Sequence, residues 1–208
     1  MNVEMIFRNN RWLAYIPVLG ISFYVILYFI AAQKYAGGFE NYSIGDHLLC
    51  DLMNTYSTDG YLNDGRLPAI IGNSSLFVGM VTFFYLIPLQ FDKITRNIKW
   101  AQLLGVIAMF NFLFLFSQYH DVLVLASGCL SMVMVTLLIF EYYRQTRNPV
   151  KTYSIVCLVL SISVFLSYQL EIGLDFLPIF QKTVFLLDGI WVFVSCMSLM
   201  KYSSQSRL

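Results

Sequence analysis

Six apolar runs, at 12–32, 67–89, 100–116, 122–140, 153–170 and 180–200, limit this chain more than any other feature. Each comes close to the roughly 20 residues that carry a helix through the hydrocarbon of a bilayer. Only 12% of the residues are charged and 58% are hydrophobic, whereas about 25% charged is usual in soluble domains. The mean hydropathy is +0.67. The sequence therefore predicts an all-α, polytopic membrane protein: a single domain over 1–208, built as a six-helix transmembrane bundle. The first run follows Arg8 and Arg11 and exceeds the roughly 7 to 15 apolar residues of a secretory signal, so it is read as a retained span. The four cysteines, Cys50, Cys129, Cys157 and Cys196, form no CxxC pair, which argues against a disulfide framework or zinc ribbon.

The basic residues then orient the bundle. Ten of the thirteen (Arg8, Arg11, Lys93, Arg96, Lys99, Arg144, Arg147, Lys151, Lys201 and Arg207) fall at the N-terminus, the second and fourth connections and the C-terminus, leaving Lys34, Arg66 and Lys182 for the other side. Lys and Arg concentrate on the cytoplasmic side of membrane proteins, so both termini are expected there. The acids run the opposite way: only Glu4, Asp92 and Glu141 belong to the inner side. Pro88 should stop or kink the second span. Gly20, Gly72, Gly79, Gly105 and Gly128 leave room for helices to approach closely.

The one long polar connection, 35–68, carries Glu40, Asp46, Asp51, Asp59 and Asp64 together with His47. Within it Ile44, Leu48, Leu49, Leu52, Met53 and Tyr56 recur at helical spacing, and His47, Asp51 and Asn54 make a second stripe. Ser43 followed by Asp46 reads as a capping signature. The spacing thus predicts a short amphipathic helix over 43–56 in the first outer loop, its Leu48, Leu52 and Met53 side against the bundle or the lipid interface.

Asn73, Asn111 and Asp188 lie inside the spans. Counting helical rise places them in one layer roughly 9 to 14 Å below the outer surface, which suggests an outward-facing cavity lined by Asn73, Asn111 and Glu171. The asparagines read equally as interhelical hydrogen-bond glue. A carboxylate in the membrane costs on the order of 2.5–3.5 kcal/mol, so Asp188 is either a structural clip or a functional group. With His120 and Asp121 in the outer turn between the third and fourth spans, His47, Asp51, His120 and Asp188 form the candidate catalytic set, with a histidine as base and a carboxylate as orienter. His47, Asp51, His120 and Asp121 form the candidate set for a divalent metal such as zinc. A solvated acidic rim with two surface histidines is the plainer alternative. There is no HExxH, no GxSxG around Ser74 and Ser75 and no Gly-rich phosphate loop. No basic, aromatic-interleaved stripe points to nucleic acid.

The order YAGG, GDHLLCDLMN and GRLPAI between the first two spans resembles a bacterial six-span membrane protein family of unknown function. Tyr35, Gly37, Gly38, Asp51 and Leu52 match its first-loop elements, while Ala36 and Leu67 stand where that family has proline and asparagine. More remotely the architecture is similar to the eukaryotic six-span group of autophagy modulators and GPI-lipid remodelling factors. The resemblance implies a bacterial inner-membrane protein and work on membrane lipid, and it transfers no catalytic residue. Two functions follow as expectations. One is a membrane-embedded hydrolase or transferase handling a lipid headgroup or small amphiphile. The other is a non-catalytic sensor or assembly subunit that docks an envelope protein through its first outer loop. A transporter ranks behind both, because Gly/Pro-broken helix pairs are missing.

Overall fold

The fold comes from a computed structural model that describes Phe7 and residues 10–36, 42–145 and 150–205. Glu4, Arg8, Gly37, Gly38, Glu40, Arg147 and Arg207 lie outside the described residues, as does the side chain of Lys201. Among the described residues there is no strand, and six long α-helices follow one another: α1 (Tyr15–Gln33), α2 (Arg66–Leu86), α3 (Arg96–Leu113), α4 (His120–Gln145), α5 (Val150–Gln169) and α6 (Leu177–Gln205). A 3-10 turn, Arg11–Ala14, leads into α1, and a second, Ile87–Gln90, follows α2. Pro88 belongs to that second turn. Lacking an N–H, it cannot extend the α-helical ladder, so the helix stops at Leu86 as expected.

Each helix packs on its neighbour in the chain, and α6 returns to α1, so the six form a closed ring running up and down in sequence order. The tightest crossing joins α1 to α2. A Cβ on Gly20 would stand 2.7 Å from the Ser75 carbonyl oxygen and 2.8 Å from the Gly79 Cα, so the two backbones touch where only hydrogens intervene. Gly128 receives the Phe165 ring of α5, and Gly105 the Phe84 ring of α2. The larger apolar core, including Phe83, Leu138, Tyr142, Trp191 and Val192, fills the half of the ring away from the 42–65 connection. A smaller one, with Ala31, Ala32, Tyr35, Tyr42, Leu52, Met53, Ala69 and Leu115, lies beneath that connection.

Five segments are long and apolar enough to cross a membrane: Arg11–Gln33, Arg66–Gln90, His120–Gln145, Lys151–Gln169 and Leu177–Met200. The third run of the sequence differs. It forms α3, which starts at Arg96 behind the N-cap Thr95 and ends at Leu113, before the predicted limit at 116. Eighteen residues rise only about 27 Å, and the first turn, with Arg96, Asn97 and Lys99, is polar. The far half of the ring also holds Glu141, one of the acids assigned to the inner side, in a buried polar network. Glu141, fully buried, accepts from Asn97 Nδ2 at 2.9 Å and from the Gln145 amide, while the buried Tyr142 hydroxyl donates to Gln90.

The helix predicted over 43–56 does not form. Ser43–Asp46 makes a turn closed on the Ser43 carbonyl, Leu48 is extended, a 3-10 helix covers only Leu49–Met53, and Asn54 is extended again. The carbonyls of Ile44, His47, Leu52, Met53 and Asn54 accept from the side chains of Lys182, Asn63 and Arg66, and such competing side-chain bonds draw the backbone away from an α-helical ladder. The apolar side still packs inward: Leu52 and Met53 are buried, while Leu48 is half-buried.

Candidate functional site: the cap on the helix ring

Residues 42–65 fold into a cap over one end of the ring, and four side chains pin it. Lys182, on the first turns of α6, points its ammonium at three carbonyls: Ile44 at 2.9 Å, Pro178 at 3.3 Å and His47. An ammonium has three donors, and each meets an acceptor. Next to it Gln181 Oε1 accepts from Leu49 N at 3.0 Å. On the other flank the buried Asn63 donates to the Leu52 and Asn54 carbonyls at 2.9 and 3.0 Å while its Oδ1 accepts from Gly65 N. Arg66 Nε, at the start of α2, donates to the Met53 carbonyl at 3.1 Å. Asp51 acts locally, its carboxylate accepting from Leu48 N at 2.6 Å.

Inside the cap, His47 stacks on Tyr42, with ring centroids 5.2 Å apart and planes 30° apart, and meets Tyr35 edge-on at 5.4 Å. Its Nδ1 lies 3.3 Å from the Ser43 carbonyl and its Nε2 3.4 Å from the Thr58 hydroxyl. A carbonyl can only accept, so Nδ1 carries the proton and Nε2 receives the hydroxyl. That leaves neither nitrogen open. Tyr42 in turn shares a hydrogen bond of 2.7 Å with Tyr28 of α1. Burial first, and that bond second, push its phenol above the usual tyrosine range. Burial, with the negative charge of Asp51 behind it, pushes the Cys50 thiol up to about 12, which makes it a poor nucleophile at neutral pH. Between Tyr56 and Leu62 the chain doubles back in a small bridge-closed turn with Gly60 at φ +81°. Tyr56, Tyr61 and Leu62 are exposed there beside Asp59 and Asp64.

The other predicted site residues are placed separately. His120 opens α4 and pairs through Nδ1 with its neighbour Asp121 at 3.0 Å, in a contact almost fully open to solvent on the aspartate side. Asn73, 1% exposed, donates to the Phe112 and Leu113 carbonyls at 3.0 and 3.4 Å and so clips α2 to the end of α3. This is the glue role. Asn111 is half-buried on α3, and Glu171 is exposed in the α5–α6 turn at φ 54°. Asp188 accepts from Ser161 of α5 at 2.7 Å. Its partner is a helix neighbour, not a histidine.

Of the predicted site residues, His120 and Asp121 hydrogen-bond to each other, while the bonds of His47, Asp51 and Asp188 described above go to other partners. Among the described residues no three His, Cys, Asp or Glu side chains come together as a metal site would require. The space beneath the cap, between Tyr24, Tyr28, Leu49, Leu52, Met53 and Ala69, is apolar and about 10 Å³. That is near the lower limit for a single water.

The Asp188 arrangement predicts a specific outcome. Asp188→Asn keeps an acceptor for Ser161 and removes an ionisable group from the apolar packing between α5 and α6, so the thermal midpoint in detergent should hold or rise by about 2–4 °C. A fall of more than that would mean that the ionised carboxylate itself is required.

Sequence reasoning overlooked Lys182, Gln181, Asn63 and Arg66. A signal existed for two of them. They are among only three basic residues assigned to the cation-poor side of the chain, where a Lys or Arg needs a specific task to be kept. Compared with known proteins, the chain matches no family model, no curated protein and no solved structure.

Proposed function

We propose that this is a non-catalytic sensor or assembly subunit of the bacterial inner membrane, a six-span protein with both termini in the cytoplasm and its cap outside as the docking surface for an envelope protein. The observation that carries this reading is the cap itself. Its backbone is held by side chains of α2 and α6, so it is preorganised, and preorganisation lowers the cost of binding. Tyr56, Tyr61 and Leu62 are exposed on it, and tyrosine is a frequent anchor of protein interfaces.

Supporting the orientation, Arg11, Lys93, Arg96, Lys99, Arg144 and Lys151 stand at the ring end away from the cap, whereas Lys34, Arg66 and Lys182 stand at the cap end. Two of those three are engaged with carbonyls, and the acids Asp46, Asp59, Asp64, Asp121, Glu171 and Asp175 are exposed. The hydrolase or transferase reading needs an open histidine and room for a headgroup, and the cap offers little of either.

A photoreactive amino acid placed at Tyr61 in cells should give one discrete adduct with an envelope protein. The same probe at Leu103, exposed on α3, should give none, and the Tyr61 adduct should vanish when Lys182 is replaced by Met. Adducts that persist without Lys182 would reject docking through the cap. Stoichiometric zinc in the purified wild type would return the hydrolase.

A further inference from the structure

α5 meets α6 through a polar stripe. Tyr153, Cys157 and Ser161 stand four residues apart on α5 and so on one face, and all three reach two consecutive residues of α6. The Tyr153 hydroxyl donates to the Leu187 carbonyl at 3.0 Å, the Cys157 thiol donates to the same oxygen at 3.7 Å, and Ser161 Oγ lies 2.7 Å from Asp188 Oδ2. Asp188 stands at the middle of Leu177–Met200, a segment long and apolar enough to cross a membrane. Its other oxygen, Oδ1, is shut from the surface and has no hydrogen-bond partner. The lysines of the two helices are engaged or remote: Lys151 donates to the Tyr143 carbonyl, Lys182 holds the cap, and Lys201 is over three turns further along α6. Beside Asp188 the titratable groups of α5 are Tyr153 and Cys157. α1, packed on another side of α6, brings Val18, Ile21 and Val25, and one titratable group, Tyr24, against Phe185. Among the described residues no positive side chain acts on Asp188.

The direction of the Ser161 contact decides the state of the acid. Ser161 Oγ also lies 3.0 Å from the Cys157 carbonyl, one turn back, and a hydroxyl has a single proton to give. With Asp188 ionised, that proton goes to the carboxylate. An anion at the centre of the span is then left with one hydrogen bond, one bare oxygen and no counter-charge, a costly arrangement. With Asp188 protonated, the same contacts close into a relay: the acid O–H donates to Ser161 Oγ, and Ser161 donates to the Cys157 carbonyl. The atom left without a partner is then a neutral carbonyl-type oxygen, which folded proteins leave unpaired more readily than a charged one. The distances fit both directions, and the absence of a counter-charge selects the second.

We propose that Asp188 is a proton-binding site between α5 and α6, held as the neutral acid, and that its proton clasps the two helices and is released when they part. Loss of the proton turns the Ser161 hydroxyl away from the Cys157 carbonyl and leaves a charge in the seam beside Tyr153 and Cys157. The α5–α6 contact is thereby a proton-set switch, whether or not the cap docks a protein. Asparagine imitates the closed state, because its amide N–H stands in for the acid O–H and it has no proton to lose.

Infrared spectra of the full chain in detergent at pH 7 read the proton directly. Wild type should show a carboxylic-acid carbonyl band that shifts when isotope-labelled aspartate is incorporated, which separates it from the buried Glu141. That band should be missing from Asp188→Asn and displaced in Ser161→Ala, which removes the acceptor. Amide exchange reads the clasp. Opening releases one proton, so at pH values where the band persists, opening over 153–161 and 184–191 should increase about tenfold per pH unit in wild type relative to Asp188→Asn. A folded Asp188→Asn with the same carboxylic-acid bands as wild type, a band indifferent to Ser161→Ala, or the same pH slope of opening in the two proteins would each overturn the proposal. Should Asp188→Asn fail to fold, labelled wild type decides: aspartate bands of the ionised form alone at pH 7 would reject the site.

Discussion

Replacing Lys182 by Met frees the cap. The ammonium is shared among the Ile44, His47 and Pro178 carbonyls, and the thioether offers those oxygens no donor. Taking about 2 kcal/mol for the loss of charge-assisted hydrogen bonds at a half-exposed site, amide protection over 42–56 should fall about thirtyfold while the helices keep theirs. Cys50 reports the same event chemically. In the closed cap its thiol is held up to about 12, burial being the main cause, against an ordinary value of 9.0.

The sign follows from linkage. Below pH 9 the thiol is neutral whether the cap is open or closed, so burying it carries no pH-dependent cost. Between about 9 and 12 only the open cap can ionise it, and the closed form loses stability as pH rises. Wild type should therefore resist maleimide at pH 8 and become labelled as the pH climbs through that window. Lys182→Met should label readily at pH 8. Equal labelling of the two at pH 8 would show that Lys182 does not hold the cap.

The second large effect is expected at the α1–α2 crossing. Gly20→Val sets a branched side chain where a single Cβ already stands 2.7 Å from the Ser75 carbonyl oxygen and 2.8 Å from the Gly79 Cα. Both obstacles are backbone, so no rotamer change relieves them and the helices must separate, which also strains the Ser75 hydroxyl bond to the Gly20 carbonyl at 3.2 Å. Overpacking of about 3 kcal/mol would lower the thermal midpoint in detergent by about 10 °C for a chain of this length. Gly45→Ala is the control: its Cβ would meet only Ser43 Oγ and Ile179 Cδ1, at 3.7 and 3.8 Å. Equal midpoints for Gly20→Val and wild type would mean that the crossing is looser than its geometry.

The features legible in the sequence are those set by local physics. Apolar runs marked all six helices, because a helix satisfies its own backbone and needs little from the rest of the chain. Pro88 marked the end of α2, the glycines marked the close crossings, and Asn73 was readable as a clip between helices. The 43–56 segment misled because the spacing of Leu48, Leu52 and Met53 records which residues are buried, and a 3-10 turn flanked by extended residues buries Leu52 and Met53 as well as an α-helix does. Two of the four side chains that hold the observed shape, Lys182 and Gln181, are more than 130 residues away in the chain. No short window of sequence contains those two and the loop together. Depth along a helix says nothing about azimuth, so the hydrogen bond between Asp188 and Ser161 of α5 was not legible in the sequence.

The cap's dependence on α6 also gives it a place in time. Tyr35, Tyr42 and His47 leave the ribosome early, yet the carbonyls of Ile44 and His47 wait for an ammonium that is made only when residue 182 has been joined to the chain. Until the last helix is beside the first, the segment lacks the two side chains that hold its Ile44–Leu49 half, and a chain stalled after α5 would display the same residues without those bonds. Docking through the cap, as proposed above, would thereby favour molecules whose last helix is in place over those still being built.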